Sequence, residues 1–286
     1  MDTVLTSAKQ KVVIGGENRL TMIGERINPT GRKRIAKAVE EGDFRLIQDE
    51  AIKQVACGAQ VLDVNVGVPG IDEPARLREA VLAIMEVTDV PLCLDSASPE
   101  ALAAGLEVYQ GKALVNSVNA ESEKLAAVLP IVASHGAAVI GLTMGDKGVA
   151  KDANSRLRLA GVIMEAAQKH GIPPQDVVID PLAMTISTDD KTGWETLEAL
   201  RLIRQEFGVN QTLGLSNISF GMPERTPTNA LFLAMAVPAG LTCPIMDPTI
   251  WEMRRAALLA DVLGGKDNFS MNYLLAYRKK KQHYPD

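Results

Sequence analysis

Short apolar runs in this sequence repeatedly end on polar side chains that could bind a small molecule. Glu25, Arg26 and Asn28 close the first run, Asp63 and Asn65 the second, Asp95 the third and Asn116 the fourth; Thr143, Asp180 and Asn217 continue the series. Any one Asp or Asn at such a place serves equally well to start a loop or to cap the next helix. A series in register along the whole chain suits a shared pocket better. Carboxylates accept hydrogen bonds while amides both donate and accept, so the mixture suits a flat heterocycle with an amino group, ring N–H groups and a carbonyl along one edge. Carboxylates alone would point to a hard metal ion; with the amides present, a metal is second choice, and none is expected to be bound by this chain.

Other chemistries find little support. Neither G-x-G-x-x-G nor a P-loop occurs, and Gly145-Asp146-Lys147-Gly148 is too short to count as a phosphate loop. A Schiff-base lysine would have to stand inside a strand's C-terminal end, whereas Lys112 precedes its strand and Lys147 lies in a loop. His135 and His170 each precede a glycine at the end of a helical pattern, where they complement the last carbonyls, and His283 lies in a polar tail. Cys57, Cys93 and Cys243 are widely spaced in apolar stretches and read as buried free thiols.

The elements that must position the polar series follow from hydrophobic spacing. Strand-like runs are predicted at Thr21–Ile27, Val61–Gly67, Pro91–Asp95, Ala113–Asn116, Ala138–Thr143, Val177–Asp180, Leu213–Asn217 and Leu241–Asp247, each followed by a helix-length amphipathic stretch. Asp43 is expected to cap a helix reaching Gly58, and Ser98-Pro99-Glu100 to open another; Glu121 and Glu123 mark a further first turn. Eight strands alternating with helices in 286 residues predict an α/β fold, a single-domain (β/α)₈ TIM barrel, over an open doubly wound sheet. Every strand then opens its C-terminal end onto one face, where the polar series converges. Residues 1–19 are read as an N-terminal extension, with Lys11–Asn18 a hairpin turning at Gly15-Gly16, and 270–286 as a C-terminal tail whose basic run Arg278–Gln282 is solvated. Pro238 and Pro244 predict an irregular last unit.

The charge balance of 30 basic and 35 acidic residues gives −5, which offers no broad cationic surface for nucleic acid or an anionic membrane. The opening Met1-Asp2-Thr3-Val4 lacks a signal-peptide pattern, and no apolar run approaches a membrane span, so a cytoplasmic location is expected.

Six motifs in order resemble those of the methyltetrahydrofolate:corrinoid methyltransferases within the dihydropteroate-synthase-like, or pterin-binding, barrels. They are Ile23-Gly24-Glu25-Arg26-Ile27-Asn28, Leu62-Asp63-Val64-Asn65-Val66-Gly67, Leu92-Cys93-Leu94-Asp95-Ser96, Asn116-Ser117-Val118-Asn119-Ala120-Glu121, Ile179-Asp180-Pro181-Leu182 and Gly214-Leu215-Ser216-Asn217-Ile218-Ser219-Phe220-Gly221. The resemblance implies that Asp95, Asn116 and Asp180 grip the pterin's aminopyrimidine edge, with Gly214 and Arg225 in the same set. It implies Asn217 as the catalytic residue, hydrogen-bonding near N5, the nitrogen that carries the methyl group. Glu25, Asn28, Asp63, Asn65, Thr143 and Ser219 would be further mouth residues. Methyltetrahydrofolate and tetrahydrofolate would be substrates, cobalamin would be carried by a corrinoid protein partner, and the chain would form a homodimer.

Three rival readings remain. Dihydropteroate synthase would carry Ser-Arg-Pro-Gly after its second strand and a basic cluster near its last; here those places read Val66-Gly67-Val68-Pro69-Gly70 and Met246-Asp247-Pro248, without cations for pyrophosphate. A non-catalytic folate-binding or corrinoid-docking barrel would not need Asn217. A metal-dependent lyase would use Asp63, Asp95, Asp180 and Asp247.

Overall fold

A computed structural model describes residues 1–146 and 148–284; Lys147 lies outside them. The chain runs β1 (Asp2–Thr6), β2 (Lys11–Gly15), β3 (Ile23–Ile27), α1 (Lys33–Glu41), α2 (Arg45–Ala56), β4 (Val61–Asn65), α3 (Glu73–Val87), β5 (Leu92–Asp95), α4 (Pro99–Val108), β6 (Leu114–Asn119), α5 (Ser122–Ser134) and β7 (Ala138–Leu142). A two-residue ladder, β8 (Met144–Gly145) with β9 (Gly148–Val149), precedes α6 (Ala153–Lys169). Then follow β10 (Val177–Asp180), α7 (Thr192–Phe207), β11 (Asn210–Gln211), α8 (Arg225–Ala239), β12 (Ile245–Met246), α9 (Trp251–Leu263), α10 (Met271–Arg278) and α11 (Lys280–His283).

Eight parallel strands stand in the order β11-β10-β7-β6-β5-β4-β3-β12. The sheet's two edges meet through the bridge Gly214–Ile245 and the bonds Thr242 N to Gln211 O and Ile245 N to Leu213 O, which closes the single-domain (β/α)₈ barrel. Alternation divides the apolar residues into two layers. Leu62, Val64, Leu94, Val115, Val139 and Ile179 point outward and pack with helix residues such as Leu77, Ala80, Ile84 and Ile163. Ile23, Val61, Cys93, Leu114, Ala138, Ile140, Val178 and Ile245 point inward. Gly24 lets α2 press close, since a Cβ there would lie 2.4 Å from Gln54 Oε1, which accepts the Arg26 N–H.

Four local expectations are corrected. The hairpin pairs Asp2–Thr6 with Lys11–Gly15 and turns at Ser7–Gln10, not at Gly15-Gly16; Ser7 Oγ accepts the N–H groups of Lys9 and Gln10. Its buried Leu5, Val12 and Ile14 join the inward layer and plug the barrel floor, and Asn210 Nδ2 donates to Thr3 Oγ1 and Ile14 O at 2.9 and 3.0 Å. The seventh strand is Asn210–Gln211, while Leu215–Ser219 forms a 3₁₀ turn, because buried Leu215 and Ile218 are spaced by three rather than by two. Helix α2 begins at Arg45, with Asp43 accepting from Arg45 N instead of capping the helix end; α1 is an additional helix with Ile35, Ala38 and Val39 inward. The basic run near the C-terminus is largely exposed but helical, and it is anchored: Tyr284 packs edge-on to Trp251 and its hydroxyl donates to Pro248 O at 2.7 Å.

Ser98 caps α4, His135 and His170 follow α5 and α6 with ring nitrogens 2.9 Å from Ile131 O and Ala166 O, and all three cysteines are buried and free. The eighth strand is reduced to two residues after Pro244. Among the described residues, no helix is long and apolar enough to cross a membrane.

Candidate active site

The pocket is a direct product of strand alternation. Two residues beyond inward-facing Ile23, Val61, Cys93, Leu114, Ile140 and Val178 stand Glu25, Asp63, Asp95, Asn116, Leu142 and Asp180, one layer higher in the barrel. With Asn28, Gly214, Asn217 and Arg225 they line one cavity of about 660 Å³ at the strands' C-terminal ends. The opposite wall is apolar, formed by Leu215, Ile245, Met246, Ile250 and Met253. A planar ring with a polar edge and apolar faces fits such a space.

Hydrogen bonds fix the acceptors. Asn116 Nδ2 donates to Asp63 Oδ1 at 3.1 Å, and Asn65 Nδ2 donates to Asp95 Oδ2 at 3.0 Å while its own Oδ1 accepts the Gly67 N–H. Asp180 Oδ1 accepts the Leu182 N–H at 2.7 Å. Behind it the buried Arg156 donates to Leu182 O and Ala150 O, which ties the loop after β10 to α6.

Burial sets the electrostatics, because a carboxylate removed from water binds its proton more tightly. Burial pushes Asp180 up to about 7, against the opposing Leu182 and Gly214 N–H groups and Arg156. Burial, followed by repulsion from Asp247, brings Glu25 to about 7. Asp95 rises to about 6 through burial, and Asp63, only 3% exposed and facing Asp95, is held well above the usual carboxylate range. At Asp63, repulsion from Asp95 adds to burial in favouring the protonated form.

Asn217 stands differently. The 3₁₀ turn presents it at the open mouth, and among the described residues its side-chain amide makes no hydrogen bond, which leaves it free for a ligand. Gly214 makes room for that amide, since a Cβ there would lie 3.0 Å from Asn217 Nδ2. Arg225, at the start of α8, donates to Ser219 Oγ and Ser216 O and lies over the Phe220 ring with 5.6 Å to its centroid.

Three expected mouth residues and one strand-end cation stand outside the cavity wall. Thr143 is one position past the inward-facing Leu142, so alternation turns it outward; it is fully buried, and among the described residues its Oγ1 has no hydrogen-bond partner. Asn65 and Ser219 act on the site through Asp95 and Arg225. Arg26 points toward α2, where it pairs with Glu50 at 2.6 Å and reaches Asp247 at 2.8 Å. Residues not singled out as site members also line the cavity, among them Arg32, Ser216 and Asn229, as does Asp247, which was weighed only as a lyase carboxylate. Ser216 adjoins Asn217, and Asn229 is one helical turn beyond Arg225, the spacing that could have revealed it. Among the described residues, no group of three or more His, Cys, Asp or Glu side chains is arranged to hold a metal ion. Lys112, as expected, stands away from the mouth, paired with Asp176 at 2.6 Å.

The sequence profile of the pterin binding enzymes matches residues 24–247. The chain is 32% identical, over 92% of its own length and 97% of the relative's, to the methylcorrinoid:tetrahydrofolate methyltransferase of Eubacterium limosum. It is 34% identical over 79% of its length to the methionine synthase of Mycobacterium tuberculosis, of which it spans 20%. Among solved structures, the dihydropteroate synthase of Yersinia pestis in a sulfonamide drug complex superposes with a TM-score of 0.71 at 16% identity, covering 92% of this chain and 99% of that one, a likeness of fold. Matched by the family profile from its first barrel strand to its last, this barrel is thus a member of the pterin-binding enzyme family.

Proposed function

We propose that the protein is a methyltransferase that moves the N5-methyl group between methyltetrahydrofolate and the cobalt of a corrinoid, cobalamin in type, carried by a separate protein. The observation that carries this reading is the free amide of Asn217 at the open end of a wall of pterin-edge groups. The 97% coverage of a relative named for this reaction supports it. Asp95, Asn116 and Asp180 take the aminopyrimidine edge, Asp63 holds Asn116 in place, and Leu215 and Met246 lie along the ring faces.

The methyl acceptor has to come from outside the chain. All three thiols are buried, and burial raises each of them, Cys243 to about 12, so none offers a thiolate to the cavity. The reduced corrinoid supplies the nucleophile when its carrier docks over the mouth. As the N5–methyl bond breaks, its electron pair stays on N5, the methyl group passes to cobalt, and N5 takes up a proton. Asn217 donates a hydrogen bond that stabilises the changing charge at N5 but has no proton to give up. Glu25, protonated near neutral pH and within reach of Ser216 in the same wall, is the proton store.

In this reading the protein acts in the cytoplasm as a homodimer, with the barrel, its residue 1–19 extension and its 270–286 tail working as one unit. The groove between α8 and α9, where Leu231 and Leu263 are exposed, is the apolar face for pairing. The test is spectroscopic: purified protein mixed with methyltetrahydrofolate and reduced cobalamin should convert the Co(I) band to that of methyl-Co(III). Tight folate binding with no conversion, either to free cobalamin or to a corrinoid protein, would leave only a non-catalytic binder.

A further inference from the structure

The rim of the barrel is unevenly charged. Seven of the eight loops after the strands, taken with the first turn of the next helix, carry at least one carboxylate. The exception follows β3, where Asn28-Pro29-Thr30-Gly31 leads into Arg32-Lys33-Arg34. Arg32 lines the main cavity and also a second one of about 480 Å³, shared with Lys33, Arg34, Ile35 and Leu46. Its one carboxylate, Glu50, is already paired with Arg26. Lys33 and Arg34 are exposed, and among the described residues neither pairs with a carboxylate, whereas the next cation along, Lys37, pairs with Glu41 at 3.6 Å. The nine-residue α1 starts here without a side-chain cap, so its first N–H groups add to the positive potential.

We propose that this second cavity binds the γ-linked glutamate tail of the folate, an oligo-carboxylate, and so makes the enzyme prefer polyglutamylated substrate. The inference rests on the reading of the main cavity as a methyltetrahydrofolate site. The edge-gripping residues belong to β5, β6 and β10, and β3 lies across the closed barrel from β6 and β7. A ligand held by its pyrimidine edge on one side directs its other end toward the opposite rim, where these cations stand.

The experiment measures binding of methyltetrahydrofolate as the monoglutamate and as the pentaglutamate, to the wild-type protein and to the double variant Lys33→Glu, Arg34→Glu. Acidic residues in a first helical turn are favourable, so the variant should fold. The pentaglutamate should bind the wild type about tenfold more tightly, the scale of a few exposed charge pairs acting together, and added salt should erode the gain. The variant should lose that gain and bind the monoglutamate as before. Equal binding of the two forms to wild type overturns the proposal, as does a pentaglutamate preference that survives in the variant. A variant that keeps the preference but transfers poorly to a corrinoid protein reassigns the surface to partner docking. Absence of monoglutamate binding would instead overturn the folate reading itself.

Discussion

Glu25 ties the rate of the proposed reaction to pH. Burial and Asp247 bring its carboxyl to about 7, so it holds its proton in mild acid and loses it as the pH rises through neutrality. Transfer from folate to cobalt should therefore be fastest below about 7 and fall above it. Glu25→Gln should lower the rate in acid and flatten that limb, as steady-state rates across pH would show; an unchanged profile would remove Glu25 from the proton path. Gly214 governs Asn217 sterically. A Cβ 3.0 Å from Asn217 Nδ2 requires the amide to give way, so Gly214→Ala should cut the transfer rate about tenfold or more while the protein still binds folate. Glu25, Asp63, Asp95, Asn116 and Asp180 were legible in the sequence because each follows an inward apolar residue by two positions. Thr143 and Arg26 were misplaced where that same alternation turns a neighbouring side chain outward. Arg32 and Asn229 come from a loop and a helix face, and strand periodicity says nothing about either.

Among the elements, the hairpin β1–β2 has a purely structural task. Leu5 is fully buried in the inward layer beneath the site, in one apolar cluster with strand residues such as Ile23 and Val61. Leu5→Ala should cost about 2–5 kcal/mol in chemical denaturation and leave the activity of the folded fraction intact. A loss of activity at full stability would mean that the floor shapes the site. Six of the eight barrel strands were legible as apolar runs because each is buried on both faces. The seventh was displaced, since Leu213–Asn217 is as apolar as a strand but the three-residue spacing of Leu215 and Ile218 coils it into a 3₁₀ turn. The eighth could be placed only loosely because Pro244 removes a ladder donor. The hairpin's register and the tail's anchoring were not legible for a different reason. Their partners, Asn210 and Trp251, lie more than two hundred residues away or on another element, and pairings of that range leave no local pattern.

At the scale of the whole molecule, the mouth carries a store of protons. Asp180 and Glu25 at about 7 and Asp95 at about 6 all lie above their ordinary values, so these three groups bind more protons in the folded chain than in the unfolded one between roughly pH 4 and 7. Without ligand, the stability these groups contribute is accordingly lost as pH rises through that window. A pterin that donates to Asp95 and Asp180 favours their ionised forms, so binding near pH 6 should release protons. Calorimetric titrations in buffers of different ionisation enthalpy would detect the release, and buffer-independent heats would contradict it. In the proposed reading, the open mouth, the buried thiols and the free Asn217 amide belong to a protein that holds one substrate while the other is brought to it. The most direct test compares Asn217→Ala with wild type in two quantities, the affinity for methyltetrahydrofolate and the single-turnover rate of methyl-cobalt formation. The account predicts a rate lower by about a hundredfold or more, the scale of one lost hydrogen bond to a developing charge, with affinity changed far less. A variant that turns over at the wild-type rate would contradict the role given to Asn217, and with it the chemistry assigned to this barrel.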